Sequence, residues 1–504
     1  MVSAHSRLAG IERTGLMHKY SSRTVTPDEW HQASLDAAQG RAVLLSLWGE
    51  KAGVFMALLD AGTPFIRVLN LPCPQGAFPS VARHHPPAGR LERAIHDLFG
   101  LKPADAPDTR PWLNHGKWGL CHPMGGRMDT SDAPPAYSFL AAEGENLHEI
   151  PVGPVHAGII EPGHFRFTAN GETIVRLEER LGYTHKGVES LMEGADLAHA
   201  ARLSGRISGD STVAYGVAFS RAVEKASDMI APPRAQALRG LMAELERIAN
   251  HFGDIGAICN DASFSMIHAH CWVLREKVLR AAEACFGHRL MRDCVVPGGV
   301  AANIEPKGVS AVHMLLDDID QRFPALINLY DFTPSLRDRT VSTGIVKHEL
   351  VQQFGAGGYI GRASGRSFDA RKTFGYHPYD NLSFDVPVLH AGDVDARVWI
   401  RIREVGQSLS LIRQILAGLP GGPVQSSIKQ TGKKCEGYAL VEGFRGDIFV
   451  WLRLDGMGRI ARCHLRDPSW FQWPLLEAAV EGNIVADFPL CNKSFNCSYS
   501  GHDL

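Results

Sequence analysis

Two sets of ionisable residues fall at helical spacing. Glu244, Arg247 and His251 stand at i, i+3 and i+7, so on a helix an acid, a permanent cation and an imidazole would share one face. His185 and Glu189 are set one turn apart in the same sense. On a solvated helix such groups pair simply as ions, each contact worth only about a few tenths of a kcal/mol; buried, they mark functional sites. The ten cysteines, Cys73, Cys121, Cys259, Cys271, Cys285, Cys294, Cys435, Cys463, Cys491 and Cys497, include no C-x-x-C pair. No zinc or iron–sulfur spacing is present, and most of these cysteines read as small buried hydrophobes.

The elements that would carry these groups are legible from periodicity. After Pro232 and Pro233, residues Arg234 to Ala257 place Leu238, Leu241, Leu245, Ile248 and Phe252 on one stripe, which predicts a helix. Ile174 to Met192 predicts a second, with Leu177, Leu181, Val188 and Leu191 as its apolar face. Nearer the N-terminus, AVLLSLW, GVFMALLDA and FIRVLNL are short apolar runs broken by Gly, Pro and charge, which is strand-like. The stretch Arg90 to Leu101 is helical, with Leu91, Ile95, Leu98 and Phe99 on its apolar side. Residues from Lys102 to about Pro154 show no sustained period and read as an extended connection. From Gly437 to Trp470 the pattern alternates, with Asp-Gly and Met-Gly turns between strands.

The fold class that follows is α+β. A small N-terminal α+β domain occupies residues 1–150, and a mainly helical domain with a β-rich C-terminal part occupies 151–504. A chain of 504 residues with 45% apolar composition can bury the cores of two domains. Its 52 Lys+Arg balance 54 Asp+Glu, so no basic excess points to nucleic acid. The best candidate for a membrane span, Val43 to Leu59, is interrupted by Glu50 and Lys51. The N-terminal stretch MVSAHSRLAGIERTGLMHKYSS lacks the continuous apolar segment of a secretory leader, which predicts a cytoplasmic location. The glycines of GAGGYIG and PGGV lack a strand-then-helix setting, so no NAD site is expected.

Several stretches together carry a family resemblance: GPVHAGIIEPGHFRF from Gly153, GYTHKGVESL from Gly182, AELERIANH from Ala243, GHRLMRDCVVPGGV from Gly287, GRASGRSFDARKTFGYHPYD from Gly361, GDVDARVWIRIREVGQS from Gly392 and VEGFRGDIFVW from Val441. From about Val152 onward the chain resembles the large subunit of nickel–iron hydrogenases and its relative, the D-type subunit of complex I NADH-quinone oxidoreductase. The N-terminal domain, through LERAIHDLFGL, resembles the C-type subunit of complex I. That order, C-like then D-like in one chain, is similar to the fused large subunit of formate-hydrogenlyase-type and hydrogenase-4-type enzymes.

The resemblance implies roles for particular residues. Nickel in these hydrogenases is held by four cysteines in an R-x-C-G-x-C and a D-P-C-x-x-C motif. The matching positions here are Arg206-Ile207-Ser208-Gly209-Asp210-Ser211 and Asn496-Cys497-Ser498-Tyr499-Ser500, so Ser208, Ser211 and Ser500 stand where thiolates would be and only Cys497 keeps sulfur. A neutral hydroxyl is a hard donor ill suited to a soft, sulfur-held nickel, so no metal is expected in this chain. Glu189 matches the family's proton-transfer glutamate and Arg445 the arginine beside the metal; with His185 they form the implied catalytic set. His156 matches the first histidine of the quinone-headgroup loop in the D-type family, but the loop's second histidine is missing and the quinone-binding tyrosine falls opposite Gly209. Arg206, Glu244, Arg247 and His251 match positions toward the small iron–sulfur subunit.

The function implied is that of a large subunit in a membrane-associated, complex-I-like or energy-converting-hydrogenase-like oxidoreductase. It would work without nickel and couple electron or proton transfer to ion-pumping subunits. The implied partners are a small subunit resembling the B-type protein of complex I, which would carry the iron–sulfur cluster, and antiporter-like membrane subunits. Two alternatives stand beside it: a quinone site around His156, His185 and Ser208, and a non-catalytic scaffold joining a membrane arm to a peripheral partner.

Overall fold

The computed structural model describes residues 22–125, 137–156, 160–428 and 432–504. The N-terminal stretch read for a leader, and part of the loop that follows His156, lie outside these ranges. The first unit is a four-stranded sheet in the order β1-β4-β3-β2, built from β1 (Arg23–Thr24), β2 (Ala42–Glu50), β3 (Gly53–Asp60) and β4 (Ile66–Pro72). Helix α1 (Pro27–Ala38) and helix α2 (Gly89–Phe99) pack on it. Thr26 starts α1 with a reciprocal capping box to Glu29, and Gly100 ends α2 in the left-handed conformation at φ +73°.

The continuous apolar runs of β2 and β3 have a direct cause: both faces of the sheet are covered. Along β3, Val54, Met56 and Leu58 face the core shared with α1 and α2. The alternate residues, Phe55, Ala57 and Leu59, face the core of the large helical body. The first domain is thereby clamped to the second by the far side of its own sheet.

A three-stranded antiparallel sheet opens the second unit: β5 (Leu147–Val152), β6 (His164–Asn170) and β7 (Thr173–Arg180). Two expectations change here. The boundary placed at 150 falls inside β5, whose Ile150 pairs with Phe167. The helix expected over 174–192 is instead β7, then a turn, then the short helix α3 (Val188–Met192). The apolar stripe misleads because Ile174 and Leu177 are strand residues paired with Ala169 and Phe167, with a bulge between Thr168 and Ala169 shifting the period.

The body is a set of long helices around α5 (Pro233–Asp261): α4 (Thr212–Ala226), α6 (Ser265–Phe286), α7 (Pro306–Asp331) and α8 (Val394–Ala417). Pro233 at the first helical turn starts α5 where a missing N–H costs nothing. A second three-stranded sheet, β8 (Cys435–Glu442), β9 (Asp447–Leu454) and β10 (Ile460–Arg466), packs on α4. The β8–β9 turn is held by Gly358, at φ +65°, whose missing Cβ would overlap the Arg445 carbonyl. Helices α9 (Ser469–Ala479), α10 (Phe488–Phe495) and α11 (Tyr499–Asp503) return the C-terminal segment to the middle of the chain.

Candidate functional site

Arg445, on the β8–β9 turn, meets the Arg206–Ser211 segment through Asp210. Its guanidinium grips the Asp210 carboxylate from two nitrogens at 2.8 and 2.5 Å, and its Nε donates to the Asn496 carbonyl at 2.5 Å. The fork geometry suits arginine. The Ser208 hydroxyl donates to Asp210 at 2.7 Å and lies 2.9 Å from the Ser498 hydroxyl. Ser211 donates to Asp210 at 3.3 Å. Burial opposes the charge on Asp210, but the Arg445 guanidinium outweighs it and lowers the carboxyl's proton affinity.

The two segments that the resemblance pairs do come together, with one shift in detail. Ser208 reaches Ser498, which caps α11 by accepting from the Gly501 N–H, while Ser500 faces Glu161 through its own backbone N–H at 3.0 Å. Cys497 is buried in an apolar cluster that includes Phe165, Trp473 and Tyr499, and burial pushes its thiol well above the usual range. A thiol kept protonated is a poor metal ligand.

Among the described residues no group of three or more His, Cys, Asp or Glu side chains is arranged to hold a metal ion. The donors at this place do not make the soft anionic set that holds nickel: they are hydroxyls already committed to hydrogen bonds and one thiol that burial keeps protonated. Asp210→Asn, which leaves Arg445 without its counterion, is expected to lower unfolding stability by about 1–2 kcal/mol in a denaturant titration. The loss is moderate because the Asp210 side chain remains 33% exposed. An unchanged midpoint would refute the pairing.

Glu244, Arg247 and His251 do not reach a surface. Helix α5 is enclosed by α4, α6, α8 and α10, and the three side chains are at most 1% exposed, so the expectation that they touch a partner subunit is corrected. Glu244 accepts from Arg371 at 3.0 Å, Tyr379 at 2.6 Å and Ser408 at 2.6 Å. Arg247 donates to the carbonyls of Gly443 and Glu442 at 3.0 and 2.9 Å. Burial lowers the His251 proton affinity, and its neutral ring donates from Nε2 to Glu404 at 2.8 Å. Of the expected interface set only Arg206 is at the surface, ion-paired with Asp293.

Glu189 and His185 land elsewhere, at the seam between the two domains. Gly187, left-handed at φ +66°, starts α3 after His185, so the two are not on one helical face. Glu189 accepts from Arg462 at 2.7 Å, from His464 Nδ1 at 2.8 Å and from the Leu465 N–H at 3.0 Å. His464, kept neutral by burial, receives the Ser46 hydroxyl of β2 on Nε2 at 2.7 Å. Burial works against the Glu189 charge, but Arg462 and His464 prevail and hold its pKa at about 2. In this geometry Glu189 is an anion held by Arg462, His464 and the Leu465 N–H. His185 donates from Nδ1 to the Asp503 carbonyl at 2.7 Å. His156 lies exposed after β5.

Two family descriptions match the chain: residues 261–435 and 428–503 match the respiratory-chain NADH dehydrogenase 49 Kd subunit, and residues 31–133 match the 30 Kd subunit. A carbon monoxide-induced hydrogenase from Rhodospirillum rubrum is 30% identical over 352 residues, covering 70% of this chain and 98% of the relative. The chain belongs to the family of complex I 49 Kd subunits and related hydrogenase large subunits. Formate hydrogenlyase subunit 5 of Escherichia coli, another relative, is 30% identical over 440 residues, 84% of this chain and 77% of its own length. Among solved structures, the membrane-bound sulfane sulfur reductase, an archaeal respiratory membrane complex, contains a chain superposing with a TM-score of 0.67 at 26% identity, over 71% of this chain and 99% of that one. This complex I-type subunit is of the oxidoreductase class, and its 30 Kd-like and 49 Kd-like parts are fused in one chain. No helix among the described residues is long and apolar enough to cross a membrane.

Several groups in this family member escape motif reading. Asp210 sits inside the serine-bearing segment yet matches no ligand position, and Arg462 and His464 alternate along β10 so that both reach Glu189 from one face. Glu246 is a third case. It accepts from the N–H groups of Val213 and Ala214 at the start of α4, at 2.7 and 3.1 Å, yet burial pushes its pKa up to about 8. A folded-state pKa above the ordinary 4.5 contributes stability that is complete below 4.5 and is lost as pH rises through about 8. Glu246→Gln is therefore expected to fold normally and to lose part of the decline in stability between pH 6 and 9, compared by denaturant midpoints; a steeper decline would refute this assignment.

Proposed function

We propose that this chain is the large subunit of a membrane-associated, complex-I-like oxidoreductase that operates without nickel and couples electron or proton transfer to ion-pumping membrane subunits. The observation that carries the proposal is the Arg445–Asp210 ion pair set among Ser208, Ser211 and Ser498. Hydroxyls at these positions leave out the soft anionic donors that nickel requires. The solved neighbour named as an archaeal respiratory membrane complex supports the assembly, and it is named for sulfane sulfur rather than hydrogen.

In this reading a small iron–sulfur subunit resembling the B-type protein of complex I docks beside the exposed Arg206–Asp293 pair, and the whole lies on the cytoplasmic face of a membrane holding antiporter-like subunits. The quinone alternative draws less support: Ser208 is engaged by Asp210 and Ser498, and His185 by the Asp503 carbonyl. Metal analysis of the complex purified through this chain tests the proposal. Iron with substoichiometric nickel is expected, the iron travelling with a small co-purifying subunit; one nickel per chain would overturn it.

A further inference from the structure

Away from the groups already described, one cation clasps two acids across the seam between the domains. Arg90, on α2 of the first domain, donates to Glu179 at the end of β7 at 3.2 Å and to Glu477 on α9 at 2.7 Å. The Glu477 carboxylate also accepts from the Glu179 N–H at 2.8 Å. The Glu179 side chain has no exposed surface, whereas that of Glu477 is 23% exposed. One Glu179 oxygen, Oε1, is buried without a hydrogen-bond partner.

The charges at this clasp do not balance. Two carboxylates in one buried place cannot both stay ionised against a single guanidinium without a large cost. The surrounding elements supply no further cation. Arg180 alternates to the other side of β7 and donates to the carbonyls of Trp112 and Asn114. Arg93 of α2, which like Arg90 lies over the Trp112 ring, is paired with Asp108 at 3.0 Å. Glu178 adds an anion, but Arg110 holds it at 2.6 Å and the Tyr137 hydroxyl donates to it at 3.3 Å. From the C-terminal segment, burial holds the His502 pKa below its ordinary value and keeps the Cys497 thiol and the Tyr499 hydroxyl protonated. Burial, and then the Glu477 charge, push the Glu179 pKa well above its ordinary value, and burial raises that of Glu477 as well.

We propose that Glu179 and Glu477 share one exchangeable proton at neutral pH, so that the clasp is a proton-binding site whose buried end is Glu179 and whose opening to solvent is Glu477. The proton neutralises one acid and leaves one carboxylate for the one guanidinium. It also removes charge from a carboxyl group that has an undonated oxygen, and a neutral acid costs far less to bury than an ion. One proton enters from water and no electron moves. The two acids interact closely, so they titrate as a pair and the proton belongs to both. Arg90 comes from the first domain and both acids from the second, so loss of the proton leaves an unbalanced anion in the seam and weakens the hold between the domains. The clasp lies within this chain, and its proton does not depend on whether the assembly contains nickel.

Infrared difference spectra of the full chain against Glu179→Gln and against Glu477→Gln test this at pH 7; other protonated acids, such as Glu246, cancel in the difference. The wild type should show the C=O stretch of one protonated carboxylic acid, shifting in D2O, that is lost in both variants, because the single acid left beside Arg90 ionises. Each glutamine imitates the protonated acid, so each variant should fold and should gain on the wild type in denaturant midpoint as pH rises from 5 to 9, where a raised folded-state pKa costs the wild type stability. An acid band that survives in both variants overturns the site, and one lost in only one of them overturns the sharing. A midpoint gap that stays constant or shrinks with rising pH also overturns the site. So does failure of both variants to fold, since a neutral side chain would then not stand in for an acid that already holds the proton.

Discussion

Arg362→Met is expected to be the most damaging single substitution outside the glycine turns, lowering unfolding stability by about 3–5 kcal/mol, the usual cost of breaking a buried pair. Arg362 is fully buried and its guanidinium donates to Glu404 at 2.7 Å and Glu442 at 2.8 Å, with Asp369 3.6 Å away. Asp369 and Glu244 share Arg371, and Glu404 lies 3.9 Å from Arg247. Four carboxylates (Glu244, Asp369, Glu404, Glu442) thus face three guanidiniums (Arg247, Arg362, Arg371). The excess is relieved at Glu442, where burial and the Asp369 charge push the pKa up to about 7. Methionine fills the volume but strands two carboxylates. Their pKa values then rise, and a raised folded-state pKa gives stability present at low pH and lost as pH climbs. The deficit should be smaller at pH 5 than at pH 8. Guanidinium titrations at both pH values check this, and an equal or larger deficit at pH 5 contradicts the network.

Glu189→Gln is the second large effect. A folded-state pKa near 2, against the ordinary 4.5, contributes stability that is complete above 4.5 and is lost as pH falls through 2. The difference of about 2.5 pH units corresponds to about 3 kcal/mol at neutral pH. Glutamine can still accept from the Leu465 N–H, but Arg462 would be left buried without its counterion. The wild-type advantage should therefore be near 3 kcal/mol at pH 7 and shrink steadily below pH 4.5. A variant as stable as wild type at pH 7 would show that Glu189 is not the anion the seam is built on.

Much of the architecture can be read locally. The strands β2, β3 and β4, the helices α2 and α5 and the alternating strands β8 to β10 follow from short-range period and turn residues, which the tertiary fold does not override. Strand β7 reads as part of a helix because a bulge in its hairpin with β6 gives a strand the appearance of a helical stripe over a few residues. The stripe on α5 is legible as a unit, but a single helix does not reveal how many of its faces are covered. Those charges would be solvated on a two-sided helix and are buried on this one, where α8 supplies Glu404 and Ser408.

The motifs point to Ser208, Ser211, Cys497 and Arg445 as neighbours, and the chain brings most of them to one place. What the sequence determined by itself is the family and the order of its two parts, because these depend only on residue identity in series. What the tertiary structure alone decided is the partner of each charge: Asp210 for Arg445, Arg462 and His464 for Glu189, Arg362 for Glu404 and Glu442. Those pairs lie as many as 275 residues apart along the chain, as between Glu189 and His464. Proton affinity is set by burial and by the nearest opposite charge, and neither exists until the chain has folded, which at Glu189 includes the closure of the first domain's sheet over His464.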